Sequence, residues 1–133
     1  MLPRSLAAIV LLLAGSVAAG CSASPTAQRV EILIHYSHFS PAELTVPHGV
    51  AVTFVLINED PIDHEWLIGD EAFHERHRTG TEPIHGERPD EVSVRAMSSA
   101  QTTLTFDEPG DVDFICHFPG HEAYGMAGVV HVT

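Results

Sequence analysis

Apolar and polar positions alternate with a period of two along most of this chain. Val30, Ile32, Ile34 and Tyr36 flank Glu31, Leu33 and His35, which predicts a strand. Ser40-Pro41 marks a turn, and Ala42 to Val46 is a second extended stretch closed by Pro47 and Gly49. Val50 to Ile57 is apolar and rich in β-branched residues, as a central strand requires. Asn58-Glu59-Asp60-Pro61 breaks it, and His64 to Ile68 forms a short strand ended by Gly69. Strands resume at Glu91 to Ala96, with Val92 and Val94 inward, and at Gln101 to Phe106, with Leu104 and Phe106 inward. After the Glu108-Pro109-Gly110 turn, Asp111 to Cys116 alternates again and Ala127 to Thr133 is the last strand. About eight short strands without a long helix or an internal repeat predict an all-β, two-sheet sandwich.

Two segments depart from this rhythm. Residues 70–90 are polar and carry His74, His77 and His85 with two Pro and two Gly, so they read as an insertion with one helical turn near Glu71 to Arg76. Residues 1–20 read as a secretory signal: Arg4, an apolar run from Leu6 to Ala19, then small residues up to Gly20. The run is too short and too weakly flanked for a transmembrane helix. Cys21 follows directly, and Ala-Ala-Gly-Cys resembles a bacterial lipobox in which that Cys carries the lipid. Lipobox sequences usually have Leu where Ala18 stands, so plain secretion and an uncleaved anchor remain alternatives. Residues 21–28 form a short tether, and residues 29–133 form one domain, the size of a single core.

Charge narrows the choice of partners. Without Arg4 the chain holds five Arg and no Lys against eighteen Asp plus Glu, a formal charge of −13. This excludes nucleic acid as a partner. An acidic surface is ordinary for solubility and also permits a basic partner. The cysteine count narrows the chemistry. If Cys21 is lipidated, Cys116 has no disulfide partner, and a lone thiol in an oxidising compartment is a liability unless something uses it.

A metal is the obvious user. Val112, Phe114 and Cys116 share one parity, so the thiol points the way the core residues point. The segment His117-Phe118-Pro119-Gly120-His121 then leaves the sheet, and Met126 arrives before the next strand. A soft thiolate, an imidazole and a thioether on one loop describe three-quarters of a trigonal copper site with an axial Met; a second His is missing. His64 opens a strand just after a turn and could reach the loop, with His35, His38 and His48 as competitors. Met126 could instead serve packing alone.

The pattern C-x4-H-x4-M from Cys116 to Met126, followed by G-x-V-x-V, resembles the copper loop of the cupredoxins, the plastocyanin and azurin family. Residues 39–54 (FSPAELTVPHGVAVTF) resemble the family's N-terminal strands, and residues 58–66 (NEDPIDHEW) the segment carrying its first ligand His. The resemblance covers about residues 29–133. It implies a Greek-key sandwich holding one Cu(I)/Cu(II) ion, with His64, Cys116 and His121 equatorial and Met126 axial. Relatives often have Asn after the first His and Ser or Thr after the Cys; here Glu65 and His117 take those places. We expect these two residues to tie the ligand strands together by a charge-assisted hydrogen bond. The insertion at 70–90 is a second departure.

These residues give one-electron transfer outside the cytoplasm as the leading reading. The protein would be a monomer on the extracytoplasmic side of a membrane, or in the periplasm, meeting a cytochrome or oxidase transiently. Pro119, Gly120, Ala123 and Tyr124 around His121 offer a small docking patch. The rival is copper tolerance or delivery, with copper-handling partners. His74, His77 and His85 are either a solvated polar loop or a weak second copper or zinc site; His74 and His77 would share one helix face. Trp66 is expected in the core or at the site rim, and His131 outward. An enzyme is not expected, because copper oxidases and nitrite reductases need more ligands and several domains, and no H-x-H pair is present.

Overall fold

The computed structural model describes residues 27–133. The expected signal, the lipidation of Cys21 and most of the tether lie outside the described residues. Among the described residues nine strands pack as two sheets. The first sheet has the order β2-β1-β4-β7, built from β1 (Gln28–His35), β2 (His38–Ser40), β4 (Ala51–Asn58) and β7 (Ser99–Thr105). The second has the order β3-β9-β8-β5-β6, from β3 (Glu43–Val46), β5 (His64–Gly69), β6 (Glu91–Val94), β8 (Gly110–Ile115) and β9 (Ala127–Val132). The chain changes sheets repeatedly. Consequently β1 and β4 pair in parallel, as do β3 and β9, while the other neighbours are antiparallel.

The expected eight strands become nine because His38–Ser40 pairs with β1 as a three-residue strand, too short to show a period. The turn before it consists of Tyr36 and Ser37, with φ of 52° and 54°. A two-residue hairpin with both residues left-handed matches the twist of its strands, yet costs strain in residues that carry a Cβ. That turn becomes important at the functional site.

The period-two pattern places Ile32, Ile34, Val52, Phe54 and Leu56 of the first sheet against Trp66, Ile68, Phe114, Val130 and Val132 of the second, all buried. Trp66 is at the centre, its ring centroid 5.0 Å from Phe54 and 5.9 Å from Phe114. Rings at such distances add attraction beyond the area they bury. Gly128 lets β9 press against this core, since a Cβ there would run into the Phe114 ring and the Ala42 carbonyl.

The insertion holds a real helix, α1 (Glu71–Thr79), longer than the single turn expected. Its ends explain it. Asp70 accepts from the Phe73 N–H at 2.7 Å as N-cap, and Gly80, left-handed at φ 67°, closes the C-terminus. Glu71 sits in the first turn and Arg76, His77 and Arg78 in the last, which suits the helix dipole. Phe73 and His74 are its buried residues, and Phe73 lies against Gly69, where a Cβ would leave no room. Among the described residues no helix is long and apolar enough to cross a membrane.

Candidate metal centre

Strand register assembles the site. β5 and β8 are antiparallel with Leu67 opposite Ile115, so continuing the register sets Cys116 opposite Trp66 and His117 opposite Glu65. On the other side Ile115 faces Ala127, and the next step is closed by the Cys116 N–H donating to the Met126 carbonyl at 3.1 Å. The loop between them folds back on itself. His121 N–H donates to the Phe118 carbonyl at 2.9 Å, and Met126 N–H to the His121 carbonyl at 3.0 Å. A 3-10 turn over Glu122–Tyr124 ends at left-handed Gly125. The eleven residues from Cys116 to Met126 are thus a closed, hydrogen-bonded bend.

The donor atoms converge. His121 Nδ1 lies 3.3 Å from Cys116 Sγ and 3.3 Å from His64 Nδ1. One donor atom from each of the three residues falls within 4.8 Å of the other two. His64 and Cys116 are fully buried, and His121 is partly exposed. Met126 is fully buried and is bonded through its backbone to both His121 and Cys116. The competitors are elsewhere: His35 lies near Glu59, His38 faces the Tyr36 carbonyl, and His48 faces the Thr133 carbonyl.

Asp60 organises the His64 side, and the sequence reading treated it only as part of a turn. His64 Nε2 donates to Asp60 Oδ2 at 2.9 Å. A carboxylate only accepts, so the proton sits on Nε2 and the Nδ1 lone pair is left facing Sγ and His121. Asp60 also accepts from the N–H groups of Tyr36 and Ser37, each at 2.7 Å, so it secures the strained hairpin turn as well. Burial acts to raise the Asp60 pKa, but the Ser37 and Tyr36 N–H groups and His64 outweigh it and leave the carboxyl below its usual range. Asn58, also buried, fixes the loop carrying Asp60: its Oδ1 accepts from Asp60 N at 2.9 Å, and its amide donates to the Ile62, Val94 and Arg95 carbonyls.

The tie between Glu65 and His117 is a carboxylate hydrogen bond that runs through the His117 backbone. Glu65 Oε1 accepts from the backbone N–H of His117 at 2.9 Å. The imidazole of His117 turns the other way, because α1 offers it a buried partner. His74 Nε2 donates to the Asp113 carbonyl at 3.1 Å, so its Nδ1 accepts from His117 Nε2 at 2.9 Å. His77 stacks on the same ring at 5.7 Å and 13°. Burial pushes the His117 pKa down to about 4 and that of His74 below its usual value. His74 therefore does not belong to a solvated loop, and it is not grouped with His85; it braces the residue next to Cys116. Arg78 of α1 adds a second brace, with Nε 2.9 and 3.1 Å from the two oxygens of Glu122. The sign of these contacts was not visible beforehand because α1 has only one large apolar residue, Phe73, to betray an inward face.

Burial raises the pKa of the Cys116 thiol, with backbone N–H groups of Glu65 and Phe118 opposing it. Burial and the neighbouring His64 lower that of His121. A buried sulfur ionises readily only with a cation beside it, and a neutral imidazole keeps a lone pair to give. A soft thiolate, two neutral imidazoles and a buried Met fit copper better than any hard cation.

A two-sheet fold with a Cys, two His and a Met gathered at one end defines a single-copper β-sandwich protein. Residues 28–133 match the model of the plastocyanin/azurin family of copper binding proteins, and this chain belongs to that family, whose metal is copper. Among curated relatives, the copper-resistant cuproprotein CopI of Pseudomonas aeruginosa is 27% identical over 174 aligned positions, covering 99% of this chain and 96% of that protein. CopI of Rubrivivax gelatinosus is 36% identical over 98 residues, covering 71% of this chain and 59% of that protein. Among solved structures, the reduced auracyanin of Roseiflexus castenholzii superposes with a TM-score of 0.67 at 24% identity, covering 80% of this chain and 98% of its own. The likeness to auracyanin shows the shared fold.

Proposed function

We propose that this chain is an exported copper protein that protects against copper by holding it at the His64, Cys116, His121 and Met126 centre. The observation that carries this reading is the match along nearly its whole length to a protein named for copper resistance. The buried donors support it. His64 and Cys116 are sealed from solvent, so copper bound there is withheld from thiols and peroxide in solution. His121 is the donor nearest to solvent, on a loop whose Pro119, Gly120, Ala123 and Tyr124 are exposed. Copper in this donor set supplies a one-electron Cu(I)/Cu(II) couple.

That couple supports a second reading, a one-electron carrier for a cytochrome or oxidase. The preset donors favour it, because Asp60 and the register of β5, β8 and β9 hold three of them independently of the ion's charge. A binding or carrier role, without catalysis, fits a lone centre with a single Cys. Export and an N-terminal lipid on Cys21 belong to the same proposal.

Deleting the gene and growing the host in graded copper tests it. Copper sensitivity restored by the wild-type gene and not by Cys116→Ser supports tolerance. Unchanged copper tolerance combined with a respiratory or photosynthetic electron-transfer defect overturns it in favour of the carrier. In vitro, C116S should lose the intense visible thiolate–copper band and bind copper on the order of a thousandfold more weakly, since the only soft anionic donor is gone.

A further inference from the structure

A second group of metal-binding side chains stands apart from the copper centre, where the loop after α1 meets the start of β6. It consists of Glu82, His85 and Glu91, whose donor atoms lie within 4.8 Å of one another, with His77 adjoining. His85 Nε2 is 3.1 Å from Glu91 Oε2 and 3.6 Å from Glu82 Oε1, and His77 Nε2 is 3.6 Å from Glu91 Oε1.

The outer atoms of these residues are already engaged. His77 Nδ1 donates to the Phe73 carbonyl at 2.9 Å, and His85 Nδ1 to the Gly86 carbonyl at 2.7 Å. A carbonyl only accepts, so each ring commits its Nδ1 proton outward, and Nε2 is the nitrogen that faces inward, where a metal would take its lone pair. Glu82 Oε2 accepts from Arg76 Nε at 2.6 Å, which leaves Oε1 facing His85. What meets in the middle is therefore a set of acceptors: two imidazole nitrogens and carboxylate oxygens. Tautomers fixed by carbonyls behind the ring are the arrangement that presents His to a metal.

Glu91 supplies an independent sign. Its Oε1 is shut off from solvent and accepts no hydrogen bond. A buried carboxylate oxygen without a partner is destabilising unless something positive meets it. Arg88 does not satisfy it: its Nε stands 3.6 Å from Oε1, and its Nη1 3.8 Å from Glu82 Oε1, while its hydrogen bonds go to Asp90 at 3.1 and 2.8 Å. A cavity of about 280 Å³ lined by His77, His85 and Glu91 gives an ion a way in.

We propose that Glu82, His85 and Glu91, with His77 as a further donor, form a second metal site that takes a borderline divalent cation, Zn(II) or Cu(II). The donors are nitrogen and oxygen without sulfur, which selects these ions over Cu(I). Relative to the expectation of a His74, His77 and His85 site, the structure removes His74 and adds two glutamates from either side of the loop.

The test is a Zn(II) titration of the full-length protein already loaded with copper, followed by competition with a zinc chelator, with the visible copper band read in the same sample. The expected result is one zinc equivalent beyond the copper, weakened at least tenfold by His85→Gln and by Glu91→Gln, and unaffected by His48→Gln on a distant loop. A second Cu(II) equivalent should give an EPR signal without thiolate character that the same two substitutions abolish. An unchanged copper band in H85Q and E91Q shows that fold and first centre are intact. Uptake of no second equivalent, or a second equivalent whose affinity survives the combined H77Q/H85Q/E91Q change, overturns the proposal. Neither outcome bears on the copper centre, which C116S addresses separately.

Discussion

His64 and His121 offer the same atom to the same point, yet the protein holds them in opposite ways. His64 opens a strand and is fully buried; its far nitrogen is bound to Asp60, which is bound to two backbone N–H groups and positioned by buried Asn58. His121 rides on a bend between β8 and β9, is partly exposed, and is steadied from outside by α1 through Arg78–Glu122 and, beside Cys116, through His74–His117. One half of the centre is part of the core. The other half is a loop leaning on an insertion. The first half should therefore control whether the metal is held, and the second how it exchanges.

The largest expected effect comes from Asp60→Asn. An amide has one acceptor oxygen in place of two, so in one orientation its NH2 faces the part-buried N–H of Tyr36 and in the other that of Ser37 and the buried His64 ring. Leaving such donors unpaired should lower stability by about 1–3 kcal/mol, read by urea unfolding. Loosening the His64 ring should weaken copper about 10- to 100-fold, read by competition with a chromophoric chelator. A D60N protein as stable and as tight as wild type would erase the distinction between the halves.

Glu65→Gln probes the seam between them. Gln keeps an acceptor for the His117 N–H but removes a negative charge beside Cys116. Less negative charge favours Cu(I), so the reduction potential should rise by on the order of 50 mV, close to the one-electron equivalent of a tenfold shift. Voltammetry of the full-length protein checks this; an unmoved potential would mean that the tie is only a strand-pairing bond.

Arg78→Ala should have a smaller effect still. Both partners are partly exposed, and such pairs contribute about 0–1 kcal/mol. Unfolding should barely change and the potential should stay put, while amide exchange at residues 121–125 and copper dissociation speed up. The smallest effect is expected far from the metal, where Asp111 on β8 holds His131 on β9 at 2.7 Å and raises its pKa. A raised histidine pKa contributes stability that is fully present below the unfolded value and is lost as pH rises through the folded one. His131→Gln should therefore flatten the slight loss of apo-protein stability as pH rises above the ordinary histidine range, and a pH series of melts checks it.

How much of this was legible depended on how close together the informative residues lie in the chain. Cys116, His121 and Met126 share one loop, so spacing alone declared their chemistry. His64 needed its place at the start of a strand and the family resemblance in addition, and the structure brings its ring within 4.8 Å of the loop's Cys116 and His121 donors. Asp60 left no trace: Glu59, Asp60 and Asp63 look equivalent in a turn-rich segment, and only the fold decides which carboxylate faces the ring. His74 was hidden for a similar reason, since its burial depends on Phe73 docking at Gly69 and on the turn of His117 away from Glu65. Glu82 and Glu91 escaped because attention to histidine spacing passes over carboxylates that only tertiary structure brings together.

The position of β9 has one more consequence. It lies between β3 and β8, parallel to the first and antiparallel to the second, so β3 has no sheet to join until residues 127–132 have been made. Pairings between such distant parts of a chain form slowly. The second sheet and the metal loop that feeds into it must therefore mature together, late in folding. Until they do, the sulfur of Cys116 lies open to oxidants, which gives an early-arriving copper ion, or a chaperone that shields the nascent chain, a direct influence on the yield of intact protein.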